Sequence, residues 1–299
     1  MSAVPFVLGA DDYGLAPGTS AGIRELLQAG RLSATSCLVL SPHWAEAAPK
    51  LRAMAPDADI GLHLALTRMA PLGPMPRLAP GGRLPSPEKL MALAYAGRLD
   101  EREIGAEIDR QLDAFEQAMG RPPDYVDGHH HAQQLPVIRD ALVARMRRRL
   151  PAGTALRNCA EPLRAIIGRA IAPVQAVVLA FSGRGLRRAA DQAGIPGNRR
   201  FSGVRSFSEP GPYRDLFLRF IAPDASGPVR GLAVMCHPGH PDAELAALDS
   251  LTGPREVEYA YLAGDEFPRD IAAAGLRLAR FRELAPAPVT STPVTPSRR

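Results

Sequence analysis

Pro5-Phe6-Val7-Leu8-Gly9-Ala10-Asp11-Asp12 is a short apolar run closed by two adjacent carboxylates. Its length and aliphatic content are those of a strand buried on both faces, and the abrupt change to Asp-Asp marks its end. The pattern recurs. Residues 35–40, 60–66, 125–131, 155–158 and 231–236 also read as short, mostly apolar strands. Segments of helical periodicity lie between them, clearest over 101–119, where Ile104, Ile108, Leu112, Phe115 and Met119 recur every three or four residues. Residues 20–29, 137–150 and 268–284 read as helices as well. Strands and helices in alternation predict an α/β fold: a parallel sheet with crossover helices, open or closed into a barrel.

Two stretches break the rhythm. Residues 70–86 are rich in proline and glycine and follow directly on the His63 strand, which suggests a loop facing substrate. Residues 196–212 are irregular too, with Asn198, Phe201, Gly203 and Phe207 available to line a pocket. The polar, proline-rich end predicts a disordered tail over 285–299, leaving one domain over 1–284 with no repeat or linker inside it.

With 46% apolar residues among 299, the chain is globular and long enough to bury an ample core. Its net charge of +5 comes almost wholly from arginine, lysine occurring only at positions 50 and 89. The run Arg145-Met146-Arg147-Arg148-Arg149 ends a predicted helix, where positive charge suits the helix dipole. No basic stripe with interleaved aromatics occurs, so nucleic acid is not an expected partner. Cys37, Cys159 and Cys236 make neither a disulfide framework nor a paired-cysteine zinc site, and read as buried thiols of a reducing compartment. The first strand lacks the basic stretch that opens a signal peptide, and the apolar stretch 171–181 contains Pro173 and Gln175 and is too short to span a bilayer. A cytoplasmic protein without a transmembrane segment is expected. A homodimer is allowed, although no patch in the sequence marks one.

Six of the seven histidines fall in three patches at predicted strand ends: His63, His129-His130-His131, and His237 with His240. In α/β sheets and barrels the active site forms outside the carboxyl ends of the strands. Strand alternation sends Asp11 and Asp12 to opposite sides, so one can hold a metal while the other serves as a base. A helix cap or a turn before Pro17 is the alternative role for these carboxylates. His63 reads equally as a hydrogen-bonded core residue. Period two places Asp127, His129 and His131 on one face, leaving open which histidine is a ligand. A divalent cation accepts one Asp and two His with positions left for water and substrate, lowers the pKa of water and polarises a carbonyl. With Asp11 as base and His237 as acid, such a set suits amide hydrolysis. The chain carries no P-loop and no Gly-x-Ser-x-Gly elbow, and Gly183-Arg184-Gly185 lacks the rest of a dinucleotide fingerprint.

Ala10-Asp11-Asp12-Tyr13-Gly14, Gly61-Leu62-His63-Leu64-Ala65-Leu66-Thr67, Val126-Asp127-Gly128-His129-His130-His131 and His237-Pro238-Gly239 resemble, in order and spacing, the YdjC-like carbohydrate deacetylases. Arg255-Glu256 with Tyr261-Leu262 resembles that family's C-terminal signature, and the resemblance covers residues 4–270. It implies a single-domain, irregular (β/α) barrel related to NodB-type polysaccharide deacetylases. It also implies removal, dependent on Mg²⁺ or Zn²⁺, of an acetyl group from an N-acetylated amino sugar, as oligosaccharide or glycolipid. By resemblance, Asp12, His63 and His129 match the metal ligands, Asp11 the general base and His237 the general acid. His131, Gln133, Arg157 and Phe201 are expected against the substrate.

One departure stands out. The family often has Asp-x-His-x-His-x-His before Leu-Pro, and here Gln133 replaces the last histidine. Glutamine hydrogen-bonds but cannot shuttle a proton near neutral pH. Two competing readings follow: a metal-dependent hydrolase of another amide or ester, and a sugar-binding homologue impaired in catalysis.

Overall fold

The computed structural model describes residues 3–54, 56–206, 211–223, 229–249 and 251–284. The tail predicted at 285–299 and Phe207 lie outside the described residues. Within them, β1 (Val4–Tyr13), β2 (Ala34–Cys37), β3 (Asp59–Leu64), β4 (Tyr125–Gly128), β5 (Ala155–Leu156), β6 (Arg200–Ser202), β7 (Leu232–Cys236) and β8 (Leu276–Leu278) form one sheet. Every pairing is parallel. The order is β5-β4-β3-β2-β1-β7-β6, with β8 added against the start of β1.

Strand alternation sorts the apolar residues into two cores. Val7, Ala34, Tyr125, Phe201, Ala233 and Met235 pack with Phe281 inside the curl of the sheet. Their sequence neighbours, among them Phe6, Leu8, Leu62, Val126, Leu232 and Val234, belong to the larger core under the helices. The interior is narrow. At Gly61 a Cβ would lie 2.6 Å from the Tyr125 ring, so only glycine lets that ring fill the centre.

The sheet edges, β5 and β6, share no ladder. Two asparagines bridge the gap. Asn158 N–H donates to Asn198 Oδ1 at 3.0 Å, Asn158 Nδ2 donates to Asn198 O at 3.0 Å, and Asn198 Nδ2 donates to Asn158 O at 2.7 Å. Together with the Leu156 N–H, which donates to the Pro196 carbonyl at 2.8 Å, these side-chain amides close the barrel. Asn198→Ala should strand buried polar groups of Asn158 and cost about 1–3 kcal/mol for each left unpaired. A lower urea midpoint at unchanged m-value would show it; an unchanged midpoint would mean that this seam contributes nothing.

The helices are α1 (Pro17–Gln28), α2 (Trp44–Met54), α3 (Pro87–Tyr95), α4 (Glu101–Met119), α5 (Ile138–Arg149), α6 (Leu163–Arg169), α7 (Pro173–Ala193), α8 (Tyr213–Phe220), α9 (Ala243–Leu248), α10 (Gly253–Ala263) and α11 (Glu266–Ala273). In α4 the Asp100 side chain accepts from the N–H of Arg102 and Glu103, Gly120 ends the helix at φ +71°, and the predicted apolar stripe is buried.

Two expectations change. The strand expected over 125–131 stops at Gly128, because His130 and His131 take left-handed backbone angles (φ +53° and +57°) within a 3₁₀ segment, His129–Gln134. The helix expected over 268–284 is α11, then β8, with Gly275 at φ +67° between them. Most of the apolar stretch 171–181 lies in the first half of the 21-residue α7, which begins at Pro173. Among the described residues no helix is long and apolar enough to cross a membrane.

Candidate active site

One alternation step beyond the apolar interior, the inner face of the barrel turns polar. Asp11 follows Val7 and Gly9, Ser36 follows Ala34, His63 follows Gly61, Asp127 follows Tyr125, Arg157 follows Ala155, and His237 follows Met235. The site is the top layer of a filled barrel, at the carboxyl ends of its strands. Asp11, Asp12, His63, Asp127, Arg157 and Arg255 are each no more than 2% exposed. Charges buried so deeply persist only when paired.

Asp12 departs from the alternation. The β1–β2 register shifts between Ala10 and Tyr13, and Asp12 sits at φ +68°. This bulge brings both adjacent carboxylates to one cleft of about 880 Å³, instead of the opposite sides that a regular strand would give them.

Arg157 grips Asp11 bidentately, its Nη1 and Nη2 donating to the two carboxylate oxygens at 2.5 and 2.6 Å. Nη2 also lies 3.0 Å from Asp127 Oδ2. Burial would raise the Asp11 carboxyl, but the guanidinium overrides it and holds the group down to about 2. Each Asp11 oxygen keeps a second lone pair. His237 faces this carboxylate across the cleft, its Nε2 4.0 Å from Asp11 Oδ2.

A second set of donors converges beside the first. Asp12 Oδ1 lies 3.0 Å from His129 Nδ1 and 3.4 Å from His63 Nε2, yet forms no well-aligned hydrogen bond. Its other oxygen accepts from Arg255 Nη2 at 2.7 Å. His63 Nδ1 lies 2.6 Å from Asp127 Oδ1 and 3.1 Å from Ser36 Oγ, which directs Nε2 toward Asp12. Burial alone would lower the His63 pKa, but Asp127, Asp12 and Asp11 push it up to about 10, so the field here favours positive charge. Ligand atoms of Asp12, His63 and His129 lie within 4.8 Å of one another. A buried, unaligned carboxylate oxygen facing two imidazole nitrogens fits a divalent cation, and the Asp127–His63 contact is the outer carboxylate that typically orients a metal-binding histidine. Asp11, His63 and Asp127 form a comparable cluster, but Arg157 already occupies both carboxylates, so a second cation there would meet a fixed guanidinium.

Asp127→Asn should therefore weaken metal binding about 10–100-fold, the range for losing such an outer partner. Titration against a chromophoric chelator measures it, and unchanged affinity would leave Asp127 a packing residue only.

The remaining predicted residues divide. His131 lines the cleft but stands apart from the Asp12 cluster, its Nδ1 3.5 Å from Cys159 Sγ and its ring edge-on to Phe201. Burial and Arg157 push its pKa down to about 3, which keeps it neutral. Gln133 is fully buried behind the wall, where Nε2 donates to the Arg157 carbonyl at 3.2 Å. Arg157 and Phe201 also stand behind the lining, packed against each other with the guanidinium carbon 5.8 Å from the ring centre. Of the residues expected against substrate, His131 thus lines the cleft, while Gln133, Arg157 and Phe201 stand behind its lining. The proline-rich stretch 70–86 is anchored to α4. The backbone N–H groups of Leu72, Arg77 and Leu78 donate to Glu107 and Glu103 of α4, and only the flanking residues Arg68, Pro87, Glu88 and Met91 reach the cleft.

Sequence reasoning missed Glu258 altogether. Buried in α10, it accepts from the His237 backbone N–H at 2.6 Å and from Arg205, tying the His237 loop to the cleft wall. A lone helical glutamate carries no local signal of this, although the helical pairing of Arg255 with Glu258 on one buried face does.

A family model described as "YdjC-like protein" matches residues 5–273. A chitooligosaccharide deacetylase of Yersinia pestis (strain Pestoides F) is 32% identical over 276 residues, 92% of this chain and 97% of that protein. A chitooligosaccharide deacetylase of Enterobacter sp. (strain 638) is 31% identical over 288 residues, 93% and 98% of the two chains. The crystal structure of an Enterococcus faecalis V583 protein, named for a proposed role in cellobiose-phosphate cleavage, has a similar fold. It matches with TM-score 0.70 and 22% identity over 95% of this chain and all of that one.

Proposed function

This chain belongs to the YdjC-like family, and from that premise we propose that it is a carbohydrate N-deacetylase, freeing acetate from an N-acetylated amino sugar. The observation that carries the reading is the pairing of two sites in one cleft. Asp12 Oδ1 and two imidazoles converge on a cation-favouring point, and the Arg157-held Asp11 stands beside it facing His237.

Asp12, His63 and His129 would hold a divalent ion, Mg²⁺ or Zn²⁺, whose chemistry when bound is to polarise the acetyl carbonyl and make water more acidic. Two imidazoles favour zinc chemically, though availability often decides. Asp127 fixes the His63 ring through Nδ1. Arg157 keeps Asp11 ionised and aimed, and Gln133 supports Arg157 through its carbonyl. Asp11 accepts a proton from water as its oxygen attacks the acetyl carbon. As the C–N bond breaks, His237 delivers a proton to the departing nitrogen, leaving acetate and a free amine. The Glu258 contact to the His237 backbone holds that imidazole across from Asp11.

The burial of Gln133 weakens the reading of a catalytically impaired sugar-binding homologue. The substituted position supports Arg157 and is absent from the cleft lining, so the missing histidine need not remove a proton carrier from the cleft. A hydrolase of another amide or ester would use the same groups and is separated by substrate alone. Acetate release from N-acetylglucosamine oligomers, with and without chelator, is the test. Release that stops with chelator and returns on adding metal is expected. Release indifferent to chelator would overturn the metal's role, and no release from any acetylated sugar by metal-loaded protein would overturn the substrate class.

A further inference from the structure

We propose that α6 and α7 form a docking face for an anionic membrane surface at the rim of the cleft. Among the described residues, the apolar side chains left most exposed are gathered there: Val174 is 76% exposed, Phe181 68% and Ile167 64%, with Leu163, Val177 and Val178 beside them. On α7, residues 174, 177, 178 and 181 recur at helical spacing and form one stripe. Scattered exposed apolar residues need no explanation; a contiguous set on two consecutive helices does.

Charge decides the occupant. From residue 162 to 190 the sequence has no acidic residue, while Arg164, Arg169, Arg184, Arg187 and Arg188 flank the apolar stretch on both sides. Arg184 and Arg188 continue the exposed stripe one and two turns beyond Phe181. Beneath α6, Arg164, Arg169, Arg200 and Arg219 border a cavity of about 570 Å³ in which Glu161 is the one acidic residue among the described ones. Apolar side chains flanked by arginines in excess over the nearby acids, Glu161 paired with Arg169 and Arg200 and Asp191 paired with Arg187, suit insertion among acyl chains under anionic headgroups. A second copy of this chain suits the face poorly, because a twofold contact would oppose arginine to arginine with only Asp191, already paired with Arg187 and Arg199, beside them. Gln175, Val178 and Leu179 of α7 also line the active-site cleft, so a docked bilayer would lie beside the cleft's mouth. No described helix is long and apolar enough to cross a membrane, so the contact is with its surface.

The proposal does not depend on the chemistry of the cleft and is tested without it. The full chain should float with vesicles of phosphatidylcholine and phosphatidylglycerol, and bind pure phosphatidylcholine or high-salt samples about tenfold more weakly or less, as several arginines near the surface would give. Val174→Glu and Phe181→Glu, at exposed positions outside the cleft, should lower vesicle binding by a similar factor. Each should keep the wild-type melting temperature and rate on a soluble acetylated oligosaccharide. No binding, equal binding to neutral vesicles, or binding undiminished in Phe181→Glu would overturn the proposal. So would a dimer in sedimentation that Phe181→Glu dissociates, since the face would then belong to a second copy.

Discussion

Asp11→Asn should lower kcat for acetate release by about 10²–10⁴-fold, the usual contribution of a positioned proton acceptor. The substitution is nearly isosteric, and an asparagine oxygen can still accept from Arg157, so the cleft keeps its shape while losing its acceptor for the proton of water. Arg157 would retain Asp127 at 3.0 Å, which limits the cost of an unbalanced buried guanidinium. Metal content should stay at the wild-type level, because Asp12, His63 and His129 are untouched. The informative measurement is kcat and KM together with metal stoichiometry and a thermal melt. A fall in kcat with metal and fold retained supports Asp11 as the base. A loss below about tenfold would assign the proton to another group, with His237 the next to test.

His63→Ala acts at an earlier stage, on the ion itself. One of three converging donors disappears and Asp127 loses its imidazole partner, so divalent metal affinity should drop by at least about 100-fold, roughly 2.7 kcal/mol. The purified variant should contain little metal by elemental analysis, and its activity should recover only at metal concentrations far above those the wild type needs. Unchanged metal content would remove His63 from the ligand set and return it to the role of a hydrogen-bonded core residue. The two variants are complementary: one should hold metal and fail at chemistry, the other should fail for want of metal.

Much of this site is legible from residue types and their order. The Asp-Asp pair, the single histidine of β3 and the histidine that follows β7 lie at strand ends, and in a parallel barrel those ends share one mouth. Period-two reading also carries further than isolated motifs suggest. Counting inward positions from Val7, Gly61 and Tyr125 leads directly to Asp11, His63 and Asp127. The same count fails wherever the backbone leaves the strand. Nothing in the one-dimensional pattern announces that Asp12 is left-handed, or that His130 and His131 turn away after Gly128, because such angles are imposed by register with neighbouring strands. The irregular segments mislead for a related reason. The proline-rich stretch looks free to meet substrate until Glu103 and Glu107 are seen to bind its backbone. Gln133 looks like a lost proton carrier until its burial behind Arg157 is known.

Residue order sets the alternation of strands and helices, the strand-end clustering of carboxylates and imidazoles, and the amphipathic faces that bury one core outside the sheet and another within it. These are local properties, set by side-chain polarity at periods of two and 3.6. Tertiary structure alone decided the closing of the barrel through Asn158 and Asn198, the clamp of Arg157 on Asp11, the choice of His129 over His131 beside Asp12, and the Glu258 anchor of His237. Each joins residues far apart in the chain, and their pairing depends on distances that exist only once the strands are in register and water has been excluded.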